Sequence, residues 1–125
     1  MQSTTRLIGL MFLLSAAGAG AETINCTEIA KLPYIITAPG IYCLQSDLST
    51  DIATGAAIEV AADDVVLDLN RHALDGSAAG ASTEAYGVYA FDRKNITLRN
   101  GTIRGFVSGV LLNGATAGGT FPPAP

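Results

Sequence analysis

VVLDLNRHALDG (Val65–Gly76) and NITLRNGTIRGF (Asn95–Phe106) decide how this chain is read. Slid forward at an offset of 29 without a gap, the first stretch lands on the second. Leu67 falls on Ile96, Leu69 on Leu98, Ala73 on Thr102, Leu74 on Ile103, Asp75 on Arg104 and Gly76 on Gly105. A shorter echo, GVLLNG (Gly109–Gly114), repeats GVYAFD (Gly87–Asp92) at an offset of 22. Short apolar segments that recur in one direction, parted by Gly- and Asn-containing turns, are the pattern of a solenoid. Each unit there buries its apolar face against the next. Two-residue hairpin turns between adjacent apolar runs are missing, so the expected pairing is parallel.

Within the repeats, period-two alternation assigns the faces. Val65, Leu67, Leu69, Leu74, Ile96, Leu98 and Ile103 are expected inside; Asp68, Asp75, Thr97, Arg99 and Arg104 are expected outside. Asn70 and Asn100-Gly101 fall where the chain must turn, and both residue types tolerate left-handed backbone. The gapless offset superposes Asp68 on Thr97 and makes Asp75 and Arg104 a cross-coil pair. Upstream, Ala57–Ala61 reads as a half-buried strand, Gln45–Ala56 as a polar connection broken by Leu48 and Ile52, and Ser77–Ala85 as a small-residue loop.

Residues 1–21 read as a signal peptide: Arg6, an apolar run from Leu7 to Ala17, then the small residues Ala19-Gly20-Ala21. That run is too short to span a bilayer, so the mature chain 22–125 is expected without a transmembrane span, secreted or periplasmic. Loss of Arg6 leaves six basic against 11 acidic residues, a net charge of −5. Such a balance repels nucleic acid and anionic lipid. Two cysteines in an exported chain, Cys26 and Cys43, read as one disulfide. Residues 22–44 are expected to form a disulfide-pinned cap and first rung. One or two helical turns over Thr27–Leu32 precede strands at Tyr34–Thr37 and Ile41–Leu44, joined by Ala38-Pro39-Gly40. Residues 45–114 carry the coils, about two and a half of them by repeat matching, and 115–125 form an irregular Gly/Pro-rich tail.

VVLDLNRHALDG, NITLRNGTIRGF and GVLLNG, preceded by TAPGIYCLQSDL, resemble the right-handed parallel β-helix proteins of the pectate-lyase-like superfamily. The likeness covers roughly Pro33 to Gly114, with two departures: Arg71 stands where Gly is usual and Ala73 where Thr is usual. The resemblance implies an all-β, right-handed parallel β-helix. It also implies a polysaccharide as partner, bound or processed by the full-length protein. Its members include lyases, hydrolases, epimerases and adhesins, so the alternative is a non-catalytic surface or scaffold β-helix. Ca²⁺ belongs to the lyases among those relatives.

The residues narrow this further. In the gapless register no two carboxylates stack, so neither a Ca²⁺ site nor any other cofactor site is evident. Asp63-Asp64 is a weak match to the paired carboxyls of a glycoside hydrolase. His72, the only histidine, has Asp75 as its nearest sequence partner and reads as a turn-stabilising residue. Tyr86, Tyr89 and Phe91 offer a stacking platform for sugar, some of them pointing inward by alternation. No complete active site is expected. A cap at one end only predicts the N-terminal part of a longer β-helix, self-associating through the rung of Val110–Leu112.

Overall fold

Alternating aliphatic and polar residues between Asn and Gly corners should give short strands, and the computed structural model is built of them. It describes residues 25–114, so the expected leader and the tail after Gly114 lie outside the described residues. In chain order the strands are β1 (Thr27–Glu28), β2 (Tyr34–Ile36), β3 (Gly40–Cys43), β4 (Leu48–Ser49), β5 (Ala56–Val60) and β6 (Val65–Asp68). They continue with β7 (Ala73–Asp75), β8 (Tyr86–Phe91), β9 (Ile96–Arg99), β10 (Thr102–Arg104) and β11 (Ser108–Asn113). A 3-10 turn, Ser77–Ala79, is the one helical element among the described residues.

The strands form three sheets: sheet I in the order β1-β3-β6-β9, sheet II β11-β8-β5-β2, and sheet III β10-β7-β4. Every pairing is parallel. From β2 onward the chain visits sheets II, I and III in a fixed rotation. The fold is thus all-β with parallel sheets, an order compatible with a parallel β-helix. Three full rotations, β2–β4, β5–β7 and β8–β10, are followed by β11. That exceeds the two and a half coils expected from repeat matching, because the first rotation shares too little sequence with the others to be counted. Its third strand lies where a loop was expected, and Leu48 pairs with Leu74.

Parallel stacking places like on like about 4.8 Å apart. In sheet I, Tyr42, Leu67 and Leu98 share one ladder; in sheet III, Leu48, Leu74 and Ile103; in sheet II, Ile36, Val60, Ala90 and Leu112. The central members, Leu67, Leu74, Ile58, Val60, Val65 and Val88, are essentially inaccessible. Each such side chain contributes about 1.5–3 kcal/mol by burial. At the last described rung the same inward positions open up, with Val110 39% and Leu112 52% exposed.

The register departs from the gapless one. Sheet III keeps the offset of 29, Ala73 on Thr102 and Asp75 on Arg104. Sheet I does not: Val65 pairs with Ile96, Leu67 with Leu98 and Asp68 with Arg99, an offset of 31. The corner Leu69-Asn70-Arg71-His72 is two residues longer than Asn100-Gly101. A slip of two keeps every side chain on its face, so alternation cannot detect it. The shorter corner works because residue 101 is glycine. A Cβ there would lie 2.3 Å from Cβ of Leu69 and 2.8 Å from the His72 carbonyl oxygen. Asn70, Arg71 and Asn100 adopt left-handed backbone, φ 49°, 67° and 61°.

The expected helical cap is replaced by extended chain. Thr27 and Glu28 pair with Tyr42 and Cys43, the Ile29 amide donates to the Cys43 carbonyl at 2.8 Å, and Ile29 is fully buried. One or two isolated turns carry the cost of nucleation, whereas the open edge of β3 offers partners for the same backbone groups. The Cys26–Cys43 disulfide, with Cα atoms 5.8 Å apart, holds β1 to that edge. The Leu32–Pro33 peptide is cis.

Candidate ligand-binding face

The charged residues singled out from the sequence fall into four groups. Asp68, expected in solvent, is buried at 1% exposure. Its carboxylate accepts from the Asn70 amide at 2.9 Å, from Arg99 Nε at 3.0 Å and from Asn100 Nδ2 at 3.3 Å. Asn70 in turn donates to the Leu44 carbonyl at 2.9 Å, tying three rotations together at one corner. The packing of Arg99 and Asn100 over Asp68 is what removes it from water, and the offset of 31 in sheet I is what brings them there.

On sheet III, Arg104 Nε meets Asp75 Oδ2 at 3.0 Å. Ser77 holds the Asp75 carboxyl below the ordinary range, through its side chain first and then its backbone N–H, with Arg104 adding to the effect. His72 pairs with Asp47, Nδ1 to Oδ1 at 3.3 Å, and not with Asp75 as its sequence position suggested. Asp47 also accepts from the Ala73 amide at 2.9 Å. That backbone bond, then the His72 contacts, hold its carboxyl below the ordinary range. A proton on Nδ1, donated to Asp47, leaves Nε2 as a buried lone pair without a hydrogen-bond partner. His72 therefore serves as a bracket between rotations, its second nitrogen closed to solvent.

Asp63 and Asp64 separate in role. Asp63 accepts from the Lys94 amide at 2.9 Å and lies 4.0 Å from Arg93 Nη1; Asp64, at φ 58°, accepts from Asn95 Nδ2 at 2.9 Å. Each carboxylate is occupied by the next rotation. Among the described residues no group of three or more His, Cys, Asp or Glu side chains comes together as a metal-binding cluster.

The outer face of sheet II differs in kind. Cα pairing places Ile35, Glu59, Tyr89 and Leu111 in one ladder across four strands. Ile35 is 55% exposed, while Glu59, Tyr89 and Leu111 are half-buried. Tyr86 lies beside Tyr89 with ring centroids 5.7 Å apart and planes 22° from parallel. Val88 and Ala90 take the inward positions of β8, which turns Tyr89 and Phe91 outward, and the half-buried Tyr86 joins that face through its ring stack with Tyr89. Gly87 makes this arrangement possible, since a Cβ there would meet the Gly109 carbonyl at 2.5 Å and Ile103 at 2.6 Å. A shallow depression of about 280 Å³ runs along this stack, bounded by Ala56, Glu59, Leu111 and Asn113. An aromatic floor with a few convergent polar groups is the make-up of a small-molecule site. A second depression, about 310 Å³ between the Ser77–Ala81 loop and Phe106, has no charged residue on its wall.

The tyrosines were legible in the sequence; Glu59, Ile35, Leu111 and Asn113 were not connected to them. The ladder is built on unequal offsets of 24, 30 and 22, which no single repeat length reveals. Compared with known proteins, the chain matches no family model, no curated sequence and no solved structure.

Proposed function

We propose that the chain is an exported right-handed parallel β-helix that binds polysaccharide through the outer face of sheet II. The observation that carries this reading is the Tyr86–Tyr89 stack beside Glu59 and Asn113. Parallel connections between strands of one sheet are right-handed almost without exception, which supports the handedness. The disulfide supports an oxidising compartment. An aromatic ring covers the apolar face of a pyranose, while a carboxylate and an amide engage its hydroxyls. Ile35 and Leu111, on the rungs to either side, extend that surface along the sheet. The resemblance to pectate-lyase-like β-helices points to the same ligand class.

Affinity electrophoresis and calorimetry against a panel of soluble polysaccharides test the reading. Retarded migration that is lost in Tyr89→Ala, with an unchanged far-UV spectrum, is expected. No retardation by any member of the panel, or full retention in the variant, would sink it.

A second reading, a scaffold that associates through the rung of Val110 and Leu112, is favoured by the exposure of these two residues at inward positions. Size-exclusion chromatography tests it, with Leu112→Lys expected to shift an associated species to monomer.

A further inference from the structure

Resting on the polysaccharide reading above, we infer that the sheet II face selects uncharged glycans and rejects polyuronates. The ladder Ile35–Glu59–Tyr89–Leu111 carries a single charge, and it is negative. Among the described residues Glu59 enters no ion pair and no side-chain hydrogen bond, so its carboxylate is free to meet a ligand.

Among the described residues, none that lines the depression is a cation that would receive a uronate carboxylate. Three arginines of the same rotation are engaged elsewhere. Arg93 lies against Asp63 and also donates to the Phe91 and Ala61 carbonyls; Arg99 is held by Asp68 on sheet I and Arg104 by Asp75 on sheet III. The whole chain adds a formal charge of −4, which repels a polyanion at longer range.

A neutral sugar presents hydroxyl donors, and a free carboxylate accepts them as charge-assisted hydrogen bonds. A uronate brings a second carboxylate next to Glu59. Two like charges at contact distance on a partly covered surface weaken binding by about tenfold. The charge of one residue thus separates two classes of polymer that an aromatic floor alone would hold equally.

Matched pairs of polymers provide the test: hydroxyethyl cellulose beside carboxymethyl cellulose, and galactan beside polygalacturonate. Affinities are measured once with EDTA and once with millimolar Ca²⁺, using the full chain. The neutral member of at least one pair is expected to bind about tenfold more tightly than its carboxylated partner. In Glu59→Gln that ratio should fall towards one, and in Glu59→Lys it should invert, while Tyr89→Ala should lose both polymers. Equal or tighter binding of the carboxylated member, with or without Ca²⁺, would overturn the selectivity and leave the carbohydrate reading intact. An unchanged ratio in Glu59→Gln and Glu59→Lys would likewise overturn the role of Glu59. Binding of no polymer at all would overturn both.

Discussion

Arg99 closes over Asp68: its Nε lies 3.0 Å from a carboxylate oxygen that is buried at 1% exposure, while the Arg99 side chain itself stays 48% exposed. The pair joins β9 to β6 in register, and Asn70 and Asn100 also donate to the carboxylate. A buried charge that pairs with a half-exposed cation is sensitive to loss of that cation. The other guanidinium–carboxylate contact at this distance, Arg104 with Asp75, lies in solvent.

Removing the two arginines should therefore have unequal effects. Arg99→Ala is expected to destabilise the chain by about 1–3 kcal/mol, the cost of leaving a buried charged group short of a partner. Arg104→Ala should shift the urea midpoint much less, since exposed pairs contribute little. Equal shifts in the two unfolding curves would mean that Asp68 is not protected from water as described.

Gly101→Ala tests the shortened corner. The added methyl would sit 2.3 Å from Cβ of Leu69, an atom fixed to its backbone. Overpacking of this kind costs about 1–3 kcal/mol. An unchanged thermal midpoint would show that Asn100-Gly101 does not lie over Leu69, and with it that the offset of 31 in sheet I is wrong.

Arg71→Gly should stabilise. Arg71 adopts φ 67°, a region that costs an L-residue about 1–2 kcal/mol and costs glycine nothing sterically. Part of that gain is offset by the freer unfolded chain. A net gain approaching 1 kcal/mol would raise the melting temperature by about 4–8 °C in a domain of this size. A lower melting temperature would assign the Arg71 side chain a contact that outweighs its backbone strain.

Acid should weaken the fold through sheet III. Asp47 and Asp75 are both held below the ordinary carboxylate range in the folded chain. Their contribution is fully present above the unfolded value, about 3.9, and is lost as pH falls through the depressed folded values. Urea midpoints measured between about pH 6 and about pH 2 should fall at the acid end. The fall should be shallower in the double variant Asp47→Asn/Asp75→Asn. An equally steep fall in that variant would place the acid sensitivity elsewhere.

Local patterning was enough to assign the alternation of the strands within the repeats, the aliphatic inward set from Val65 to Ile103 and the parallel direction of the repeats. It also marked Asn70 and Asn100 as corners. All of these are local or period-two properties, written in neighbouring residues. The choice between offsets of 29 and 31 came from the folded chain, because a slip of two residues leaves every face unchanged. That choice put Arg99 over Asp68 and turned an expected solvent-facing carboxylate into a buried one. The open edge of β3 likewise made Thr27–Glu28 extended where local propensity allowed a helical turn. Glu59 met Tyr89, its partner one rotation later in the chain, for the same reason. Stacking energy is summed over whole rungs, so partners are fixed by corner lengths far from the residues that meet.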